Sequence, residues 1–375
     1  MLFFELLQIA IGNRHRLSQT PTEGEWRELF LLAKKQALVG IAFRAVEQLP
    51  EEQRPPKALL MQWYIATERI KAMNANLDCK ALGVIDKLLV DGFPGVVLKG
   101  QGIARLYRVG GNDGAKLPIG NYRTPGDVDV WLFRERQEIL EYVRSHVPDC
   151  KPVYHHVDFP VIEGLDIEIH FTPSWMNSPL SNKRLQRFFD IERLRIIKDS
   201  AGFPIYRDGS QRTSIDELPV PSLAFDRVFI LVHIYRHLFA EGIGLRQLLD
   251  YYFVLSQGFT LEEREDTVGS LRSLKMLHFA GAVMWVLREV FALDERYMLV
   301  EPNEQEGHFL LGEIMQAGNF GQYDERLQHR RGESALSWGM RKVVRSLRFV
   351  HSYPSEVLWG PIFKVWNYWG RKLRW

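Results

Sequence analysis

Apolar residues recur at helical spacing through most of this chain and change to strict alternation in only a few short stretches. Near the N-terminus, Thr22-Glu23-Gly24-Glu25 has the form of a helix opening, and Trp26, Leu29, Phe30, Leu32 and Ala33 continue it. Pro55-Pro56 interrupts the pattern before a longer helical run from Leu59 to Leu89, whose Trp63, Tyr64, Ile65 and Ile70 read as core. Residues 1–92 therefore read as an N-terminal helical segment.

The period changes at Val96-Val97-Leu98, an apolar run of strand length that stops at Lys99-Gly100-Gln101-Gly102 and passes into the helix-like Ile103-Ala104-Arg105-Leu106-Tyr107. Residues 108–122 hold four glycines, Asn112, Asp113 and Pro118 without any period, and read as an exposed loop or loose hairpin. Val128, Val130, Trp131, Leu132 and Phe133 are strand-forming, and residues 134–147 carry Ile139, Leu140, Val143 and Val147 at the spacing of a helix laid on a sheet face. Further strands are expected in Lys151 to Ile162 and in Leu165 to Phe171. The pair Asp216-Glu217 ahead of Leu218-Pro219-Val220-Pro221-Ser222 marks a boundary, after which Phe225 to Ala240 is helical, Glu241-Gly242-Ile243-Gly244 breaks it, and Leu245 opens the next helix. The fold class that follows is α+β: a mixed sheet with flanking helices over 93–212, between the N-terminal helical segment and a C-terminal helical domain over 213–375.

Composition narrows the function. A chain of 375 residues with 46% apolar and 25% charged residues is globular, and 48 basic against 46 acidic residues leave no bulk field of the kind that marks nonspecific nucleic-acid binders. Cys79 and Cys150 cannot build a disulfide framework and have no zinc spacing. The apolar start MLFFELLQIAIGNRHR carries Glu5 inside the run and no basic residue before it, so it reads as a first buried helix. With no long apolar run of transmembrane length, cytoplasmic residence is the expectation.

One arrangement asks for chemistry. Gly126-Asp127-Val128-Asp129-Val130 puts two carboxylates two residues apart on a strand, hence on one face, with Cα atoms roughly 6–7 Å apart, within reach of shared divalent cations. Leu165-Asp166-Ile167-Glu168-Ile169-His170-Phe171 alternates in the same way and brings Asp166, Glu168 and His170 to one face of another strand. Taken alone, an acid pair on a strand reads first as the solvent face of an edge strand, and the neighbouring residues reduce the weight of that reading. The strand, glycine turn and helix start around Lys99 and Gly100, with Arg123 nearby, add the elements of a Mg²⁺ and triphosphate site.

The order glycine turn, Gly126-Asp127-Val128-Asp129-Val130, then Ile167-Glu168-Ile169 resembles the signature of the DNA polymerase beta-like nucleotidyltransferase superfamily. Within it, Leu98-Lys99-Gly100, Arg123, Glu168-Ile169-His170-Phe171, His233-Ile-Tyr-Arg-His237 and Gly242-Ile-Gly-Leu-Arg246 resemble a bacterial uncharacterised nucleotidyltransferase family. Gln101 stands where the superfamily usually has Gly or Ser. The resemblance implies a nucleotidyltransferase-type sheet and transfer of a nucleoside monophosphate from ATP or another NTP to an acceptor hydroxyl. It implies Asp127, Asp129 and Glu168 as catalytic residues and ligands of Mg²⁺ or Mn²⁺, with Asp166 as the substitute for Glu168. Lys99, Gly100, Gln101 and Arg123 would then meet the triphosphate, His170 would orient Glu168 or stack on the base, and His237, Arg246 and Asp250, beside a glycine break, would help to bind nucleotide or acceptor, intramolecular ion pairing being the other reading.

Three matters stay open. The pair His233 and His237 stands at i, i+4 but lacks the glutamate directly after the first histidine that a zinc-protease helix carries. The tail from Trp338 to Trp375 mixes Arg341, Lys342, Arg345, Arg348, Lys364, Arg371, Lys372 and Arg374 with Trp359, Trp366, Trp369 and Trp375; it reads as a docked helix with a solvated basic face, contact with an anionic membrane surface or a nucleic-acid strand being the other reading. The acceptor is a small molecule or an RNA, not DNA, with a toxin-like RNA-modifying enzyme and a catalytically silent scaffold as the alternatives.

Overall fold

In the computed structural model the described residues are 1–110, 115–199, 214–326, 328 and 332–373. Asn112, Asp113 and Arg212 lie outside them, as do Arg374 and Trp375 of the tail. The helices in chain order are α1 (Leu2–Ala10), α2 (Glu23–Lys35), α3 (Val39–Gln48), α4 (Lys57–Val90), α5 (Gln101–Ala104), α6 (Arg136–His146), α7 (Pro179–Asp199), α8 (Leu223–Ala240), α9 (Leu245–Leu255), α10 (Leu261–Ser273), α11 (Leu277–Phe291), α12 (Glu304–Ala317), α13 (Ala335–Leu347) and α14 (Pro354–Leu373). The strands are β1 (Gly95–Val97), β2 (Arg108–Gly110), β3 (Lys116–Pro118), β4 (Val128–Leu132), β5 (His156–Asp158) and β6 (Ile167–His170). The class is α+β, as the alternation of periods predicts. No described helix is long and apolar enough to cross a membrane.

Two compact units form, each from three separate stretches of chain. The sheet unit takes Ala75–Arg105, Pro125–His233 and Phe349–Trp375, and the helical unit takes Met1–Asn74, Leu106–Thr124 and Ile234–Arg348.

In the sheet unit the strand order is β1-β4-β6-β5, with β4 and β6 parallel and the two outer pairs antiparallel. Alternation decides the faces. Val128, Val130, Val157, Ile167 and Ile169 turn to a core shared with Leu77, Leu82, Ile85 and Leu88 of α4 and Ile139, Leu140 and Val143 of α6. The intervening residues Asp129, Trp131, Glu168, His170 and His156 turn to the opposite face. There Trp131 stacks on Phe225 of α8, with 5.7 Å between ring centres, and meets Phe189 of α7 edge-on. Aromatic packing thus covers one end of that face, and the polar residues hold the other. Helix α14 docks through Glu356, which is buried and accepts the backbone N–H groups of Asn177 (2.7 Å) and Ser178 (3.1 Å). Its outward side carries Leu358, Ile362, Val365 and Trp369, all exposed, so that side is more apolar than the basic residues of the tail suggest.

The helical unit is a bundle built on α11 and α9, whose residues are almost entirely buried. Residues 108–118, expected as a loop or loose hairpin, include the antiparallel pair β2–β3. Arg123 follows this hairpin, and its guanidinium donates to both carboxylate oxygens of Asp250 on α9, at 2.7 Å each. Tyr107 donates its hydroxyl to the same carboxylate at 2.6 Å. Arg123 and Asp250 are both buried, so each charge depends on the other for solvation.

Removing one partner should be far worse than removing both. Arg123→Met is expected to cost about 3–5 kcal/mol, the range for an orphaned buried charge. Adding Asp250→Leu should recover much of that loss, short of the hydrogen bond Tyr107 then forfeits. Denaturant midpoints of the two proteins would read the difference, and equal losses would refute the account.

Candidate active site

The acids converge because three strands agree in register. Asp129 lies opposite Glu168 across the parallel β4–β6 pair, while Asp158 lies opposite Glu168 and His156 opposite His170 across β5–β6. Asp127 is one residue before β4 and shares the face of Asp129 by the period of two. Oxygen and nitrogen atoms of Asp129, Glu168 and His170 come within 4.8 Å of one another. Asp127 joins them through Lys99, whose ammonium lies 3.1 Å from Asp127 and 2.8 Å from Asp129.

Lys99 reaches that position from the turn that ends β1. The Leu98 N–H donates to the Asp129 carbonyl (2.9 Å), which brings this end of the β1 segment alongside Asp129. The next residue, Gly100, has φ +61° and lies close enough to β4 that a Cβ would stand 3.2 Å from the Asp127 carbonyl oxygen. Both the left-handed backbone and the close approach ask for glycine. Gly102, Ile103 and Ala104 donate their N–H groups within the turn, to Lys99 and Gly100 carbonyls at 2.9–3.2 Å.

The electrostatics are those of acids kept ionised against burial. Burial disfavours the charged form of Asp129, which is fully buried, but Lys99 and His170 outweigh it and hold the carboxyl below its ordinary value. Glu168 is likewise opposed by burial, yet the hydrogen bond from His170 and the charges of His156, His170 and Lys99 lower it to about 2. Lys99 loses solvation by burial and regains more from Asp129 and Asp127, which raise it to about 12. His170 is raised in the same manner, burial being outweighed by its hydrogen bonds to Asp129 and Glu168. Because carboxylates only accept, His170 Nε2 carries the proton it directs at Asp129 Oδ1 (2.9 Å) and Glu168 Oε2 (3.3 Å).

The expected residues therefore divide into two groups. Asp127, Asp129, Glu168, His170, Lys99 and Gly100 come together in the sheet unit. Gln101 is in the same turn, but its buried side-chain amide donates to Asp78 of α4. Asp166 precedes β6 and is exposed, so Glu168 is the acid set beside Asp129. Arg123 is engaged by Asp250 in the helical unit. In that unit Arg246 is buried, donates to the Thr124 carbonyl (3.2 Å) and lies over the Phe320 ring, and the His237 ring contacts Arg236, Glu241 and Phe320. No group of metal-ligating side chains among the described residues includes His233 or His237.

Two neighbours were not read as site residues from the sequence. His155 Nε2 lies 2.9 Å from His156 Nδ1, which lies 3.2 Å from Glu168 Oε2. The doublet lies within the expected strand of Lys151 to Ile162; what the period of two could not supply was the antiparallel register that lays His156 against His170.

No curated protein and no solved structure matches the chain. A family model does, over residues 22–292, a span that contains the glycine turn, all three acids, both histidine groups and Asp250. The mixed sheet with its flanking helices agrees with a nucleotidyltransferase-type fold. The chain belongs to the family described as uncharacterised nucleotidyltransferase.

Proposed function

We propose that the protein transfers a nucleoside monophosphate from ATP or another NTP to an acceptor hydroxyl, of a small molecule or an RNA, with release of pyrophosphate. The observation that carries this reading is the register pair of Asp129 and Glu168, with Asp127 on the same face and Lys99 among them. The donor set suits a hard divalent cation, since carboxylate oxygens are what Mg²⁺ and Mn²⁺ prefer. The Lys99 ammonium is the stand-in for that charge, at contact distance from two of the acids. Asp127 and Asp129 would hold Mg²⁺ or Mn²⁺, with Glu168 completing the acceptor side. Such ions supply neutralisation of phosphate charge and a lowered pKa for the attacking hydroxyl.

The chain's own side chains do the rest. Lys99 keeps like-charged carboxylates together in the resting protein and offers its ammonium to the incoming triphosphate, alongside the backbone at Gly100 and Gln101. His170 fixes the orientation of Asp129 and Glu168 by donating between them. Arg123, Arg246 and His237 receive no part in this proposal, because each is engaged inside the helical unit.

One observation favours a second reading. Lys99 already satisfies two acids, as it would in a catalytically silent scaffold whose charges are closed on themselves. Nucleotidyl transfer separates the two. Purified protein incubated with each α-labelled NTP and Mg²⁺ or Mn²⁺, over panels of RNA, sugars and antibiotics, is expected to label one acceptor class. Asp129→Asn and Glu168→Gln should lower that rate more than about 100-fold, the scale on which even outer partners of metal sites matter. Chelation should abolish it and Mn²⁺ restore it. Absence of label from every NTP with every acceptor would support the scaffold.

Lys99 and the cation compete for the same oxygens, which gives a test that needs no acceptor. Lys99→Met leaves the carboxylates to repel one another, so millimolar Mg²⁺ should raise its melting temperature by clearly more than it raises that of the unsubstituted protein. Equal shifts would mean that the ammonium and the metal do not share a place.

A further inference from the structure

We propose that His155, His156 and His170 form a binding site for Zn²⁺ or a similar first-row divalent ion, with the carboxylate of Glu168 alongside, next to the oxygen-donor pair Asp127 and Asp129. This goes beyond the transfer reaction and does not depend on it.

The spacing carries the proposal. His155 Nε2 to His156 Nδ1 is 2.9 Å, His156 Nδ1 to Glu168 Oε2 is 3.2 Å, and Glu168 Oε2 to His170 Nε2 is 3.3 Å. In a tetrahedral site with metal–ligand bonds of about 2.0–2.1 Å, neighbouring donors stand about 3.3–3.4 Å apart. The successive separations match that edge within a few tenths of an ångström, and one ring nitrogen from each of the three histidines lies within 4.8 Å of the other two.

The proton count points the same way. His156 Nδ1 faces a carboxylate oxygen, so it carries the proton there, and His155 Nε2 meets the same N–H with its lone pair. His170 Nε2 faces two carboxylates with a single proton. Two protons thus sit among lone pairs of His155, Asp129 and Glu168, and a divalent cation binding there would displace them, as metal ions do at imidazole ligands. Nitrogen donors select against Mg²⁺, whereas three imidazoles with a carboxylate suit zinc.

The rings are also held in place. His155 and His170 are buried, at 5% and 3% exposure, and His155 packs on Trp175 with 4.2 Å between ring centres. The backbone pairing of β5 with β6 sets His156 against His170 without help from a ligand. Little ordering is left to be done when an ion arrives, which favours binding.

Full-length protein, stripped with chelator and titrated with Co²⁺, tests this without any turnover. The expected result is one equivalent bound with the intense visible absorption of tetrahedral cobalt, displaced by Zn²⁺ and indifferent to excess Mg²⁺. His156→Ala and His155→Ala should each weaken binding by about 100-fold or more, since even outer partners account for 10–100-fold. Thermal melting of each variant identifies any that fails to fold, and the other then carries the comparison. Asp127→Asn should keep the cobalt spectrum while losing NMP transfer, so a failed transfer assay and a failed metal site remain distinct outcomes. A weak, octahedral spectrum unchanged by both histidine substitutions, or cobalt binding lost in Asp127→Asn, would overturn the proposal.

Discussion

The constraint on which the site rests is that several carboxylates share one face of a small sheet, and something positive must hold them there. A carboxylate as buried as Asp129 is unfavourable unless its charge is met. Lys99 meets it at 2.8 Å and His170 at 2.9 Å, and both are placed by backbone rather than by chance of rotamer. The ammonium arrives at the end of β1, which pairs with β4, and the imidazole arrives on β6, which pairs with β4 on the other side. Strand pairing thus does the electrostatic work, because it decides which charges can become neighbours. The apolar side of the same strands supplies the stability that this costs, through the valines and isoleucines packed on α4 and α6.

How much of this was legible follows from which distances the sequence encodes. The period of two in Asp127-Val128-Asp129-Val130 and in Ile167-Glu168-Ile169-His170 fixes faces locally, so the acid side of the sheet could be read without coordinates. The glycine at position 100 could be read as well, although its reason is a conjunction of positive φ with a backbone 3.2 Å away. Arg123 is the contrary case. From its place three residues before Gly126 it looks like a phosphate ligand, and the partner that engages it, Asp250, is 127 residues away on a helix whose start reads as a nucleotide or acceptor contact or as an ion-pairing end without naming the partner. A buried pair of that separation leaves no periodic trace, and composition alone assigns a surface role to both residues. The histidine doublet carries no site signal for a similar reason: a face can be read from one strand, a register only from two.

The two units illustrate the same limit at larger scale. Each is assembled from three stretches, and the boundaries fall after Asn74 within α4 and after His233 within α8. A continuous helix has no composition shift at such a point, so reading for linkers cannot find it. Positions where a backbone comes too close for a side chain are equally silent. A Cβ on Gly40 would lie 2.3 Å from the Tyr122 carbonyl oxygen, and one on Gly307 would lie 2.5 Å from the Trp285 ring. Neither glycine has a turn-like neighbourhood, and each is needed for packing in the helical unit.

Across the sheet face, donor chemistry changes from the interior strand β4 to the outer strand β5. At β4 the donors are oxygens, from Asp127 and Asp129; at β6 they are mixed, from Glu168 and His170; at β5 and the residue before it they are His156 and His155 with Asp158. A hard ion is favoured at β4 and a borderline one at β5, and Glu168 lies where the preferences meet. For the proposed nucleotidyl transfer such a gradient would have a use. The triphosphate side needs charge neutralisation by an ion that keeps much of its water, as Mg²⁺ does, while an acceptor hydroxyl is activated most by an ion that lowers its pKa strongly. A sheet whose outer strand adds imidazoles beside a carboxylate pair can separate those tasks in space while keeping both next to the strand that carries Glu168.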